Sequence, residues 1–242
     1  MPTVLFSQKM VMFTSQRTII KVLKSSNFAY PKMTENATGI FRLKNFLIYT
    51  LLLYILSCSE QKEKTVQDNE VVTILVQPFK DMNSGDVEFL VKEIKKVYPK
   101  VKALEPIDLP KNSYYKPRNR YRADSIISFL SKNTKQNFVT IGLTTKDISA
   151  PKGNIKNFGI MGLGFRPGTA CVASSFRLHK KNRNEQFFKV AIHELGHTQG
   201  LKHCPEKTCF MRDAEGKNPT DEETDFCEKC KQILMNKNWK FS

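Results

Sequence analysis

Apolar positions along the chain switch between two periods, and the switch points outline the elements. Residues 71–76 (VVTILV) are β-branched and continuous, which predicts a buried strand. Val87, Leu90, Val91, Ile94 and Val97 then recur at helical spacing, with Ser84 placed to cap the helix they predict. Residues 101–104 predict a short second strand. Pro106, Pro110 and Pro117 mark a long irregular link. Ala123, Ile126, Ile127 and Leu130 give a second amphipathic helix, and residues 138–143 (FVTIGL) a third strand. Two further strands are predicted over 158–163 and 169–174, joined by a turn at Arg166, Pro167 and Gly168. Helical patterns over 185–199 and 221–235 complete the order.

Strands alternating with helices predict an α/β domain with a mainly parallel sheet, because parallel strands need a crossover between them. The short turn between the last two strands suggests that one runs antiparallel at the edge. With 242 residues, 40% of them hydrophobic, the chain can bury one sizeable core.

Ahead of this pattern lies a different kind of segment. Residues 46–56 (FLIYTLLLYIL) form an uncharged apolar run of eleven residues. A helix that spans a bilayer needs about 20. Arg42 and Lys44 precede the run, Ser57 and Cys58 follow it, and the chain then turns polar. A basic start, a short apolar stretch and small residues before a cut make a signal segment. The sequence Ile55-Leu56-Ser57-Cys58 resembles a bacterial lipobox, in which the cysteine carries a lipid; the alternative is a hydrophobic anchor with an incidental cysteine. The expectation is therefore a leader over 1–57, a polar tether over 58–70 and a folded domain over 71–242. It makes Cys58 the lipidation candidate and the product an exported, membrane-attached protein, with a cytoplasmic location as the alternative. Met33 offers a more typical start, so the first 32 residues are expected to carry no fold.

The formal charge is +16, and without residues 1–57 the balance is 32 Lys and Arg against 22 Asp and Glu, or +10. Such a charge permits an acidic partner. Its lysines are scattered, however, as at Lys92, Lys95, Lys96, Lys100 and Lys102, in the manner of a solvated face. No nucleic-acid partner is expected.

The densest chemistry sits in residues 193–204, which read HELGHTQGLKHC. His193 and His197 are four apart, so on a helix they share a face one turn apart and can hold one zinc ion. Glu194 stands where a base for a zinc-activated water belongs. Gly200 can end the helix with a positive φ and return the chain, bringing His203 back as a third ligand. Three ligands leave a fourth position open, the mark of a catalytic site rather than a structural one.

Four of the six cysteines follow at once: Cys204 and Cys209, then Cys227 and Cys230 with two residues between them. Two close pairs separated by a loop suit a structural zinc site made of four cysteines. Two disulfides, or a redox pair at Cys227 and Cys230, are the alternatives. The loop between the pairs holds Gly216, Pro219 and six acidic residues between 213 and 225, a composition that does not predict burial. Cys171, in an apolar strand, reads as a core thiol.

Together, HELGHTQGLKHC, then Cys209-Phe210-Met211, then Cys227-Glu228-Lys229-Cys230 resemble the archaemetzincins, metzincin-clan zinc metallopeptidases with a second zinc held by four cysteines. The resemblance covers about residues 71–240. It implies a metzincin-like fold, with a mixed, mostly parallel sheet, an antiparallel edge strand, a zinc-binding active-site helix and a C-terminal helix. By resemblance His193, His197 and His203 bind the catalytic zinc, Glu194 is the general base, and Cys204, Cys209, Cys227 and Cys230 bind the structural one. Two Zn2+ ions per chain follow. Met211 becomes the methionine of a turn beneath the site, and residues 169–174 the edge strand along which a peptide lies extended. Fifteen residues separate Met211 from Cys227, fewer than the family's usual interval. Every tyrosine lies before residue 122, so the tyrosine that some metzincins carry near this turn has no counterpart.

The expected function is zinc-dependent hydrolysis of peptide bonds in a peptide or protein substrate, by a monomer. A non-catalytic, zinc-stabilised module that binds peptide or nucleic acid is the alternative. An intact Glu194 argues against it, since a purely structural site needs no carboxylate there.

Overall fold

The computed structural model describes residues 71–241. The predicted leader, the tether and Cys58 lie outside the described residues.

A five-stranded sheet in the order β2-β1-β5-β9-β8 forms the frame. β1 (Thr73–Pro78) pairs in parallel with β2 (Val101–Ala103) on one side and β5 (Phe138–Thr144) on the other. β9 (Ala170–Ser174) continues the parallel set, and β8 (Gly162–Gly164) closes it as an antiparallel edge. The mixed, mostly parallel α/β architecture is thus the one expected. The assignment of the edge is corrected. Residues 170–174 are buried throughout and have a neighbour on each side, so the antiparallel edge is β8.

One face of this sheet packs on α1 (Ser84–Val97) and α3 (Arg183–Thr198). Ile74, Val76, Ile141, Leu143, Cys171 and Ala173 point into that layer and meet Leu90, Ile94, Phe187, Ala191 and Leu195. Alternate residues, such as Val172 and Leu163, face the other side, where α2 (Ala123–Asn133) supplies Ile126, Ile127 and Leu130. That alternation is the period-2 geometry of a strand buried on both faces. Cys171 is a fully buried core thiol, as expected. The cap of α1 is Asn83 rather than Ser84: its side chain accepts from the Asp86 N–H at 2.8 Å.

A second sheet was not foreseen. β3 (Tyr114–Tyr115), β4 (Arg120–Arg122), β6 (Ile148–Lys152) and β7 (Ile155–Ile160) form it in the order β3-β4-β6-β7. The irregular link therefore contains two short strands. The single strand predicted over 158–163 is split at Met161, so that β7 belongs to the small sheet and β8 to the large one. The last helix, α4, spans Glu228–Met235 and not 221–235. Main-chain bonds explain its late start: the Thr224 N–H donates to Thr208 and the Phe210 N–H to Asp225, each at 2.9 Å, so this stretch is tied sideways before the helix begins.

Candidate active site

α3 carries the first two histidines to the open end of β8 and β9. It ends at Thr198, and Gly200 turns the chain at φ 95°, a conformation that disfavours any residue with a Cβ. The Leu201 and Gly200 N–H groups close the helix on Gly196 and His197. His203 then comes back over the helix. The ring nitrogens of His193, His197 and His203 lie within 4.8 Å of one another, and the Nε2 atoms of His197 and His203 are 3.2 Å apart.

Each ring is oriented through its other nitrogen. His193 Nδ1 lies 2.6 Å from the Phe210 carbonyl and His197 Nδ1 2.8 Å from the Leu201 carbonyl. His203 Nδ1 lies 3.1 Å from an Asp213 carboxylate oxygen. All three acceptors are oxygens without a proton, so Nδ1 is the donor in each ring, and in a neutral ring Nε2 then carries the lone pair. Three lone pairs turned toward one point repel one another unless a cation lies between them. A zinc held by nitrogens at about 2.0–2.1 Å in tetrahedral geometry sets them roughly 3.3 Å apart, so the spacing fits that ion. Burial, reinforced by the neighbouring His197, pulls His193 down to about 3, and burial also lowers His197, so both rings stay neutral and able to ligate.

Glu194 sits beside this centre under the edge strand. A Cβ placed on Gly162 would fall 2.4 Å from Glu194 Oε1, so β8 can lie this close only because it has no side chain there. Glu194 is 6% exposed, and burial pushes its carboxyl up to about 8. Met211 is fully buried with its sulfur against Gly196, the residue between Glu194 and His197 on the inner side of α3.

The four cysteine sulfurs gather below the return of His203. They lie within 4.8 Å of one another, with Cys204 to Cys227 at 3.6 Å and Cys209 to Cys230 at 3.8 Å. None of the described cysteines is disulfide-bonded. A tetrahedral ion with metal–sulfur bonds of about 2.3 Å has edges of roughly 3.8 Å, so this cage too fits zinc. The Met211 and Cys227 N–H groups point at Cys209 Sγ at 3.4 and 3.3 Å, a setting for a thiolate. Without the ion, burial pushes Cys209 up to about 11 and Cys230 higher still.

A cleft of about 660 Å³ opens over the histidines between β8 and the segment that follows Met211. Four of its features escaped the sequence reading. The carbonyls of Leu201 and Phe210 are main-chain groups and leave no compositional trace. Asp213 resembles any other loop acid. The edge role of β8 depends on pairing. Finally, the acidic segment is not all solvated, because Pro219, Thr220 and Glu223 are buried against α3.

Comparison with known proteins decides the family. The description "Peptidase family M54" matches residues 55–236. The chain belongs to this family, the archaemetzincins. It is 35% identical over 162 residues to the archaemetzincin of Archaeoglobus fulgidus, covering 65% of this chain and 95% of that one. With the archaemetzincin of Methanopyrus kandleri it shares 32% over 131 residues, 52% of this chain and 73% of the other. The crystal structure of the A. fulgidus protein complexed with malonate superimposes with a TM-score of 0.59 at 30% identity, covering 67% of this chain and 99% of that one. That of the M. kandleri protein gives 0.60 at 26%, covering 72% and 98%. The chain is accordingly a zinc metallopeptidase with the expected fold, which sets aside the non-catalytic binding module.

Proposed function

We propose that His193, His197 and His203 hold a catalytic zinc through Nε2, that Glu194 is the general base, and that Cys204, Cys209, Cys227 and Cys230 hold a second, structural zinc. The observation that carries this reading is the set of three Nδ1 contacts, which leaves three bare Nε2 atoms converging beside a buried carboxylate. When bound, zinc brings the pKa of a water in its open position toward about 7 and polarises the scissile carbonyl. Glu194 takes the proton of the attacking water and passes it to the leaving amine. Its burial makes the carboxylate a stronger base than one in water, which suits proton transfer near neutral pH. β8 lends its unpaired main-chain edge to an extended peptide, in the manner of strand addition. Met211 supports the helix from beneath. For localisation, the lipobox-like Ile55-Leu56-Ser57-Cys58 supports an exported protein held to the membrane by a lipid on Cys58; Cys58→Ala should then move the protein from the membrane to the soluble fraction.

Glu194→Gln tests the catalytic reading. It should keep both zinc ions and lower the rate of peptide cleavage by about 10²–10⁴-fold. A variant that cleaves a susceptible peptide as fast as the parent overturns the assignment of Glu194.

A further inference from the structure

The wall of the cleft away from β8 forms where α3 meets residues 218–223. Lys189 lies one turn before His193, on the same face and about 6 Å along the axis. It is buried, and its ammonium donates to the Thr220 carbonyl at 2.9 Å and pairs with Glu185 at 2.7 Å. These contacts draw the segment onto the helix. Asp221 and Glu222 stay exposed while Thr220 and Glu223 are buried.

Glu223 is 3% exposed and lines the cleft, yet its carboxylate makes no hydrogen bond with any described residue. Lys189 and Arg212 act on it through space, but both are already engaged, Lys189 with Glu185 and Arg212 with Glu222 at 2.5 Å. Lys189 and Arg212 each have a carboxylate partner outside the cleft, and Glu223, inside it, is the one left without a donor. A buried carboxylate without partners is costly, and burial pushes Glu223 up to about 7. Lys152, Arg166 and Lys217 also border the cleft, but they are exposed, where water screens them. Val190 and Pro219 also line the cleft and offer apolar surface for an aliphatic stem.

Taking the peptidase reading above as its premise, we propose that Glu223 determines specificity: it receives the side chain of a substrate lysine or arginine at a residue flanking the scissile bond. A bound cation supplies the donor that Glu223 lacks. Glu223 lines the same cleft as His193, Glu194 and His197, so a side chain beside the scissile bond can face it.

The test uses zinc-loaded full-length protein and two peptides that differ only in lysine or norleucine beside the cleaved bond. The wild type should favour the lysine peptide. Glu223→Gln should lower kcat/KM for it by about 10- to 100-fold while leaving the norleucine peptide within about twofold. Zinc content and Tm should hold. An equal loss on both peptides, or a wild type indifferent to lysine, overturns the proposal. Binding is measured separately on zinc-loaded Glu194→Gln, with and without Glu223→Gln. Tighter binding of the lysine peptide that disappears with Glu223→Gln supports the role of Glu223 even if no peptide is cleaved; equal binding of both peptides refutes it. A wild type that cleaves nothing counts against the peptidase reading alone.

Discussion

The histidine centre and the cysteine centre begin on adjacent residues, His203 and Cys204, yet they are built on different principles. The first draws two ligands from one rigid helix and turns them with main-chain carbonyls. The second gathers sulfurs from two ends of a loop, which a few main-chain bonds, such as Phe210 N–H to Asp225 and Thr224 N–H to Thr208, also tie together. The centres also meet. The carbonyl that orients His193 belongs to Phe210, which lies between Cys209 and the buried Met211. The Cys204 N–H in turn donates to the Met211 carbonyl at 2.8 Å. Fixing the cysteines therefore fixes the acceptor of a histidine. The difference teaches that an ion in the cysteine cage would do for this turn what helical hydrogen bonding does for α3.

The largest blow to this comparison should come from Cys209→Ser. Structural zinc binding is worth on the order of 10 kcal/mol to small folds, so the variant should lose the cysteine-bound ion and several degrees of Tm. Because Phe210 is released, zinc at the histidines should weaken too. Zinc per chain and melting temperature read both effects. An unchanged metal count and Tm would refute the structural role.

Proton release sharpens the contrast. His193 and His197 are held below their ordinary values, so at pH 6–8 they are already neutral and bind zinc without losing a proton. Cys209 and Cys230 are held above theirs, so each must give up a proton as zinc binds. Zinc affinity at the cysteine centre should thus rise with pH by about tenfold per unit for each proton released, and more steeply than at the histidine centre, where His193 and His197 release none. Chelator competition at pH 6, 7 and 8 distinguishes the two; parallel slopes would contradict the assignment. For the metal-free protein the sign is the reverse of a salt bridge to histidine. A lowered His193 contributes stability above its unfolded value near 6.5 and loses it as pH falls toward about 3.

A smaller effect is expected from Asp213→Ala. His203 is the one ligand oriented by a side chain, and the Glu215 N–H donates to Asp213 at 2.9 Å, which together with His203 holds the carboxyl below its usual range. Its loss should weaken zinc at the histidine centre by about 10-fold and leave the cysteine centre unchanged. Calorimetric titration with zinc checks this. Equal loss at both sites would mean that Asp213 merely supports the loop.

Much of the frame was legible in the chain. The helical spacing of Val87, Leu90 and Ile94 and the β-branched runs reflect burial on one or two faces, and burial leaves a periodic trace. The small sheet was not legible, because Arg120–Arg122 is short and largely polar and Ile155–Ile160 is only partly buried. The division of 158–163 between two sheets left no mark either, since both strands are apolar and the break at Met161 depends on which neighbours they find.

Residues close in sequence declared their chemistry by spacing alone: HELGHTQGLKHC, with Cys209, Cys227 and Cys230 following, specified two sets of metal-ligating groups and a family. Helical geometry makes that possible, because an interval of four residues fixes a shared face before any tertiary contact forms. What turns those groups toward an ion was decided by the folded chain, through the carbonyls of Leu201 and Phe210, the carboxylate of Asp213 and the glycine edge over Glu194. So was the burial of Glu223 in an otherwise solvated acidic segment. Main-chain acceptors are the same in every residue, and the cost of burying a charge depends on its surroundings, so neither can be read from the order of side chains.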